Sequence, residues 1–196
     1  MKLDILFLHS GGFNPKGLQG PYFPIGLVGM ASYLEQKGFK PYIINLLLEK
    51  ILNPRLDFRK IVAAYDAPVV GIDLHWFVHS YEAIELARLC KEVLPASKII
   101  LGGLTASQFD REIMANFAFI DVIVRGDAEL PVERLLAGSF KDLTGVPNIT
   151  YRGKRGEIVR NQIGYAATVP ELDAIDFMRF DLVLNWEKNL NLINTD

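Results

Sequence analysis

The sequence predicts a doubly wound α/β domain, Rossmann-like or flavodoxin-like, with a mainly parallel five-stranded sheet followed by a C-terminal β-hairpin and a linker extension. Two observations carry this prediction. Five short apolar runs each lead into a stretch of helical character, and parallel strands need crossover connections that helices usually supply. Glycines also stand at the ends of three of these runs or within a few residues of them, where an open α/β sheet forms its ligand crevice.

Residues 3–9 form the first short buried run and lead into Ser10, Gly11 and Gly12. Ile25, Val28 and Leu34, interleaved with the small Gly26, Gly29 and Ala31, predict a closely packed helix that Gly38 stops. Residues 41–46 are the second strand, and a weaker amphipathic stretch over residues 49–66 predicts a helix. Residues 69–74 are the third strand. Ser80 is placed to cap the next helix, whose inward stripe is Ile84, Ala87, Cys90, Val93 and Leu94 and whose outward stripe is Glu85, Arg88 and Glu92.

Residues 98–101 are the fourth strand, after which Ser107 and Asp110 resemble the capping signal of a helix reaching Asn116. Residues 122–125 are the fifth strand, and Pro131 and Gly138 mark the first turn and the stop of a last helix. Residues 148–151 and 157–160 flank Gly153-Lys154-Arg155-Gly156 and predict an antiparallel hairpin. The stretch from Gly164 onward reads as an extended linker. The expected division is a domain over residues 1–143 and an extension over residues 144–196.

Composition limits the function. Of 196 residues, 50% are hydrophobic and 22% charged, and the formal charge of −2 gives no electrostatic reason to expect a nucleic-acid partner. No apolar run is long enough to span a bilayer, and the opening run is too short for a secretory signal, so the expected setting is cytoplasmic. Cys90 is the one cysteine in the sequence, which excludes an internal disulfide or a thiolate-held cluster drawn from these residues.

The rule that ligands sit beyond the carboxyl ends of the strands selects four loops: His9 to Gly12, His75 to His79, Gly102 to Ala106, and Gly126 to Glu129. Nucleotide fingerprints fail. No Gly-x-Gly-x-x-Gly follows a strand, the second strand ends in Asn45 rather than an acid, and Leu18 stands where a P-loop spacing from Gly12 to Gly17 needs a lysine.

The order of segments resembles the N-terminal cobalamin-binding domain of cobalamin-dependent radical SAM enzymes, a class that includes methyltransferases and an anaerobic porphyrin cyclase. The matching segments are Pro24-Ile25-Gly26-Leu27 with Ala31-Ser32-Tyr33-Leu34, Val70-Gly71-Ile72, Leu101-Gly102-Gly103, and Val124-Arg125-Gly126-Asp127-Ala128-Glu129. The hairpin and residues 172–177 are similar to that family's passage toward its catalytic barrel.

The resemblance implies cobalamin as cofactor and a radical SAM catalytic domain, in cis or in trans, as partner. An iron-sulfur cluster and S-adenosylmethionine would belong to that other domain, since the Cys-x-x-x-Cys-x-x-Cys motif is missing here. His9 and Gly12 keep the spacing of the lower-ligand motif Asp-x-His-x-x-Gly, but Phe7 replaces its acid. Members of the class often leave the lower face of cobalt without a protein histidine, so the resemblance implies a base-off, His-off cofactor.

Implied cofactor contacts are His9, Ser10, Gly11, Gly12, Leu74, His75, Trp76, Gly102, Gly103, Leu104, Thr105, Gly126, Asp127 and Glu129. Trp76 can pack on the macrocycle, or with Phe77 it can cover the sheet edge. Asp127 and Glu129 can border the ring, or cap a helix. No catalytic residue and no metal ligand is expected, and Cys90 belongs to the core. The competing reading is a flavodoxin-like domain that binds or senses FMN or another small molecule at the same edge.

Overall fold

The structure, a computed structural model, describes residues 2–10 and 23–193. Its centre is a seven-stranded sheet in the order β2-β1-β3-β4-β5-β6-β7, formed by β1 (Ile5–His9), β2 (Pro41–Asn45), β3 (Val69–Asp73), β4 (Lys98–Gly102), β5 (Val122–Val124), β6 (Ile149–Arg152) and β7 (Ile158–Arg160). The first five strands are mutually parallel, as expected. The hairpin is also present, but it continues the same sheet: β6 pairs antiparallel with β5 through Val122↔Tyr151 and Val124↔Ile149.

Alternation along β1 divides the core in two. Leu6 and Leu8 face α3 (Phe58–Ala63), α4 (Ser80–Val93) and α6 (Asp110–Asn116), where Val62, Leu86, Cys90 and Met114 are buried. Ile5 and Phe7 face α1 (Ile25–Gln36) and α7 (Glu129–Ala137), against Val28, Leu34, Val132 and Leu135. This is the two-faced covering that an all-parallel block requires.

Several local expectations are corrected. The stretch over residues 49–66 is two helices, α2 (Leu46–Leu52) and α3, capped by the side chains of Asn45 and Asp57. Pro54 lies between them, has no N–H and disfavours helix at Asn53. Ser80 is the first residue of α4, and its hydroxyl donates to the Phe77 carbonyl at 2.6 Å instead of capping. A further helix, α5 (Leu104–Gln108), starts before the predicted capping signal.

Asp110 has a different role from capping. It is 3% exposed and accepts from Arg160 Nε at 2.9 Å and from the Thr150 hydroxyl. Arg125, equally buried, places Nε 3.5 Å from Asp110 and donates to the carbonyls of Ile149 and Asn161. These contacts bind α6 to the hairpin.

The segment read as a linker is folded onto the domain. It carries α8 (Val169–Asp173) and α9 (Trp186–Ile193) and buries Ile175, Leu182 and Val183. Val183 bridges to Ile43 on β2, and Phe177 lies against Gly29 so closely that any side chain there would meet its ring. The buried residues of this stretch follow neither a helical nor a strand period, which is why the sequence predicts no element here.

Candidate functional site

A cavity of about 880 Å³ opens over the carboxyl ends of β1, β3, β4 and β5, between the sheet and helices α1 and α7. Its floor follows from the two-residue period of strands: Phe7 and His9, Gly71 and Asp73, Ile100 and Gly102, and Val124 all lie on one face. Gly26, Leu27 and Met30 of α1 form one wall, and Ala128 with Glu129 and Val132 of α7 the other. The Phe7 ring lies directly over Gly71, in space a side chain would need.

His9, His75, Trp76, Gly102, Gly103, Leu104, Gly126, Asp127 and Glu129, nine of the anticipated contacts, line this cavity. His75 and Trp76 meet edge to face with ring centroids 4.9 Å apart, and Trp76 is 56% exposed at the rim. Leu74 and Thr105 are turned away: they border a separate hollow of about 450 Å³ on the other side of the sheet. Leu74 is buried in the core there, and the Thr105 hydroxyl donates to the His75 carbonyl at 2.9 Å. Ser10 is buried outside the cavity lining, and Gly11 and Gly12 lie outside the described residues.

Gly103 has φ of +105°, and a Cβ there would stand 2.7 Å from the Leu74 carbonyl carbon and oxygen. Only glycine accepts both conditions. The tight turn sets the β4 end against the β3 loop, and the Ser107 hydroxyl, donating to the Gly103 carbonyl at 2.8 Å, also receives the Gly126 amide at 3.1 Å. Three of the four rim loops are thus hydrogen-bonded together.

The sequence reading missed Asp73. Its Oδ2 lies 2.7 Å from His9 Nδ1, which supplies from the neighbouring strand the acid that Phe7 displaces. The register Leu8↔Ile72 puts the two residues side by side, and no spacing within one strand could reveal that. Leu27, Met30, Val124 and Val132 were missed as well, since apolar lining cannot be told from core by pattern.

Two acid oxygens are buried at the cavity with no hydrogen-bond partner among the described residues, Oδ1 of Asp73 and Oε2 of Glu129. Burial raises the Glu129 carboxyl above the ordinary range, opposed by the backbone amides of Glu129 and Ala128. Burial likewise pushes Tyr165, beside it, up to about 12. Orphaned buried acceptors call for donors, and the amide groups around a corrin ring are donors. A large, mostly apolar hollow with a few such acceptors fits that macrocycle.

Fold and cavity define a cofactor-binding domain of the open parallel-sheet class, with its site at the carboxyl edge. Residues 17–136, more than half of the chain, match the B12 binding domain. The chain belongs to that family.

An uncharacterized methyltransferase of Pyrococcus horikoshii is 27% identical over 169 residues, covering 85% of this chain and 35% of the relative. The anaerobic magnesium-protoporphyrin IX monomethyl ester cyclase of Rubrivivax gelatinosus is 24% identical over 197 residues, covering 95% of this chain and 34% of the relative. The chain thus spans about a third of the length of these two relatives. The radical S-adenosylmethionine methyltransferase TsrM of Kitasatospora setae, solved with cobalamin and a 4Fe-4S cluster bound, superposes with a TM-score of 0.66 at 20% identity over 83% of this chain and 31% of that one. That likeness is one of fold.

Proposed function

We propose that the protein is the cobalamin-holding module of a radical SAM enzyme of methyltransferase or cyclase type, with the corrin at the carboxyl edge of the sheet. The observation that carries this is the 880 Å³ cavity with its two orphaned acid oxygens, in a chain of the B12 binding family. The bound cofactor would supply a cobalt centre able to carry a methyl group. Gly102, Gly103 and Gly126 admit the ring to the backbone, Trp76 packs at its rim, and Asp73, Asp127 and Glu129 face its amides.

In this reading the cobalt is base-off and His-off, as the radical SAM resemblance implies, although Asp73 at Nδ1 orients the His9 ring and leaves its Nε2 free. The cluster and S-adenosylmethionine come from a catalytic domain, in cis or in trans, because Cys90 alone cannot hold a cluster. A reducing cytoplasm suits that chemistry, and no helix among the described residues is long and apolar enough to cross a membrane.

Hydroxocobalamin mixed with the protein should co-elute and change its absorbance. Absence of both defeats the reading. Reduced to Co(II), the bound cofactor should show no nitrogen splitting on the axial cobalt signal in electron paramagnetic resonance; a three-line splitting, which one axial nitrogen of either the nucleotide base or a histidine gives, would overturn the base-off, His-off part and leave the cobalamin reading standing.

A further inference from the structure

We infer that this site selects corrinoids by the state of their peripheral groups, accepting a ring whose side chains are amides and rejecting the same ring with free carboxylates. The inference rests on the cobalamin reading. Its basis is the charge of the lining: Asp73, Asp127 and Glu129 bring three carboxylates, while no Lys or Arg lines the cavity among the described residues.

Asp73 and Glu129 cannot turn away from a ligand. Asp73 is anchored through Oδ2 to His9, which leaves Oδ1 buried and unpaired. Glu129 accepts from the backbone amides at the start of α7, which leaves Oε2 in the same state. One acid ends β3 and the other opens α7 beyond β5, with β4 between those strands, and both line the cavity.

A primary amide offers N–H donors to each oxygen. An ionised carboxylate offers acceptors only, so oxygen would face oxygen, and like charges would be desolvated together with no guanidinium or ammonium to offset them. Hydrophobic contact with the ring is the same for both ligands. The change in preference when either acid is replaced therefore reports that acid.

The test titrates the whole protein with cobinamide, which keeps all its ring amides and lacks the nucleotide tail, and with cobyrinic acid, its carboxylate counterpart. Cobinamide should bind about tenfold or more tighter. In E129Q and D73N the preference should shrink several-fold, because a side-chain amide can turn its N–H toward a carboxylate. Equal binding of the two ligands by the unmodified protein overturns the inference, and so does a preference unchanged in both variants. In those cases the cofactor reading stands if cobalamin binds. Failure of all three corrinoids to bind overturns both.

Discussion

The imidazole of His9 and the carboxylate of Asp73 meet at 2.7 Å across the adjacent strands β1 and β3, with side chains 12% and 21% exposed. A carboxylate there holds a proton on Nδ1 and fixes the ring. Hydrogen bonds to charged groups contribute about 1.5–3 kcal/mol, so Asp73→Ala should lower unfolding free energy by that order. Nitrogen NMR should show a single Nδ1–H tautomer for His9 and a mixture in the variant. An unchanged tautomer would dissociate the two residues.

Adjacent glycines at the end of β4 should behave in opposite ways. Gly103→Ala meets the Leu74 carbonyl group at 2.7 Å and the His75 nitrogen at 2.9 Å, with φ of +105°. Backbone strain alone costs about 1–3 kcal/mol, so this variant should fold poorly. Gly102→Val meets nothing nearer at its Cβ than the Val124 carbonyl oxygen at 3.9 Å and suits a strand. It fills the cavity, however. Its urea midpoint should stay near that of the unmodified protein while cobalamin binding is lost; retained binding would mean that Gly102 does not face the ligand.

The parallel block was legible because each apolar run and helix is contiguous in sequence, and Gly38, Pro131 and Gly138 mark helix ends by local chemistry. The rim loops followed from one topological rule. What escaped depends on contacts distant in sequence. Asp73 serves His9 from 64 residues away, Asp110 serves Arg160 from 50 residues away, and Phe177 finds its place only because Gly29 leaves room on α1. The hairpin was visible as a hairpin, but its pairing with β5 was not, since an edge strand does not specify its neighbour.

Cys90 should be chemically silent. It is fully buried on α4, and burial pushes its thiol up to about 12, which suppresses the thiolate that reacts. A disulfide reagent should leave the native protein unmodified and titrate one thiol after denaturation. Rapid labelling of the native protein would show that α4 opens.

Glu129 gives the stability a defined pH dependence. Burial raises its folded-state pKa above the ordinary value near 4.5, so the native state holds this proton longer than the unfolded chain. Stability then falls as pH rises from about that value through the raised one. Glu129→Gln removes that contribution and keeps an oxygen for the amides of α7. The variant's advantage in urea midpoint should be absent in acid and grow across this window; parallel profiles would exclude the assigned cause.

The buried pair of Asp110 and Arg125 decides whether the hairpin stays on the sheet. Each is 3% exposed, and Arg125 Nε has no hydrogen-bond partner among the described residues, its charge being offset by Asp110 at 3.5 Å. Removing one member of a buried pair costs about 3–5 kcal/mol, because the survivor is left charged and unpaired. Asp110→Ala also frees Arg160 and the Thr150 hydroxyl, which lie on the two strands of the hairpin. Amide exchange should therefore accelerate first in β6 and β7, with β1, β3 and β4 protected for longer. Uniform acceleration across the whole sheet would mean that the pair supports the entire fold and not the hairpin in particular.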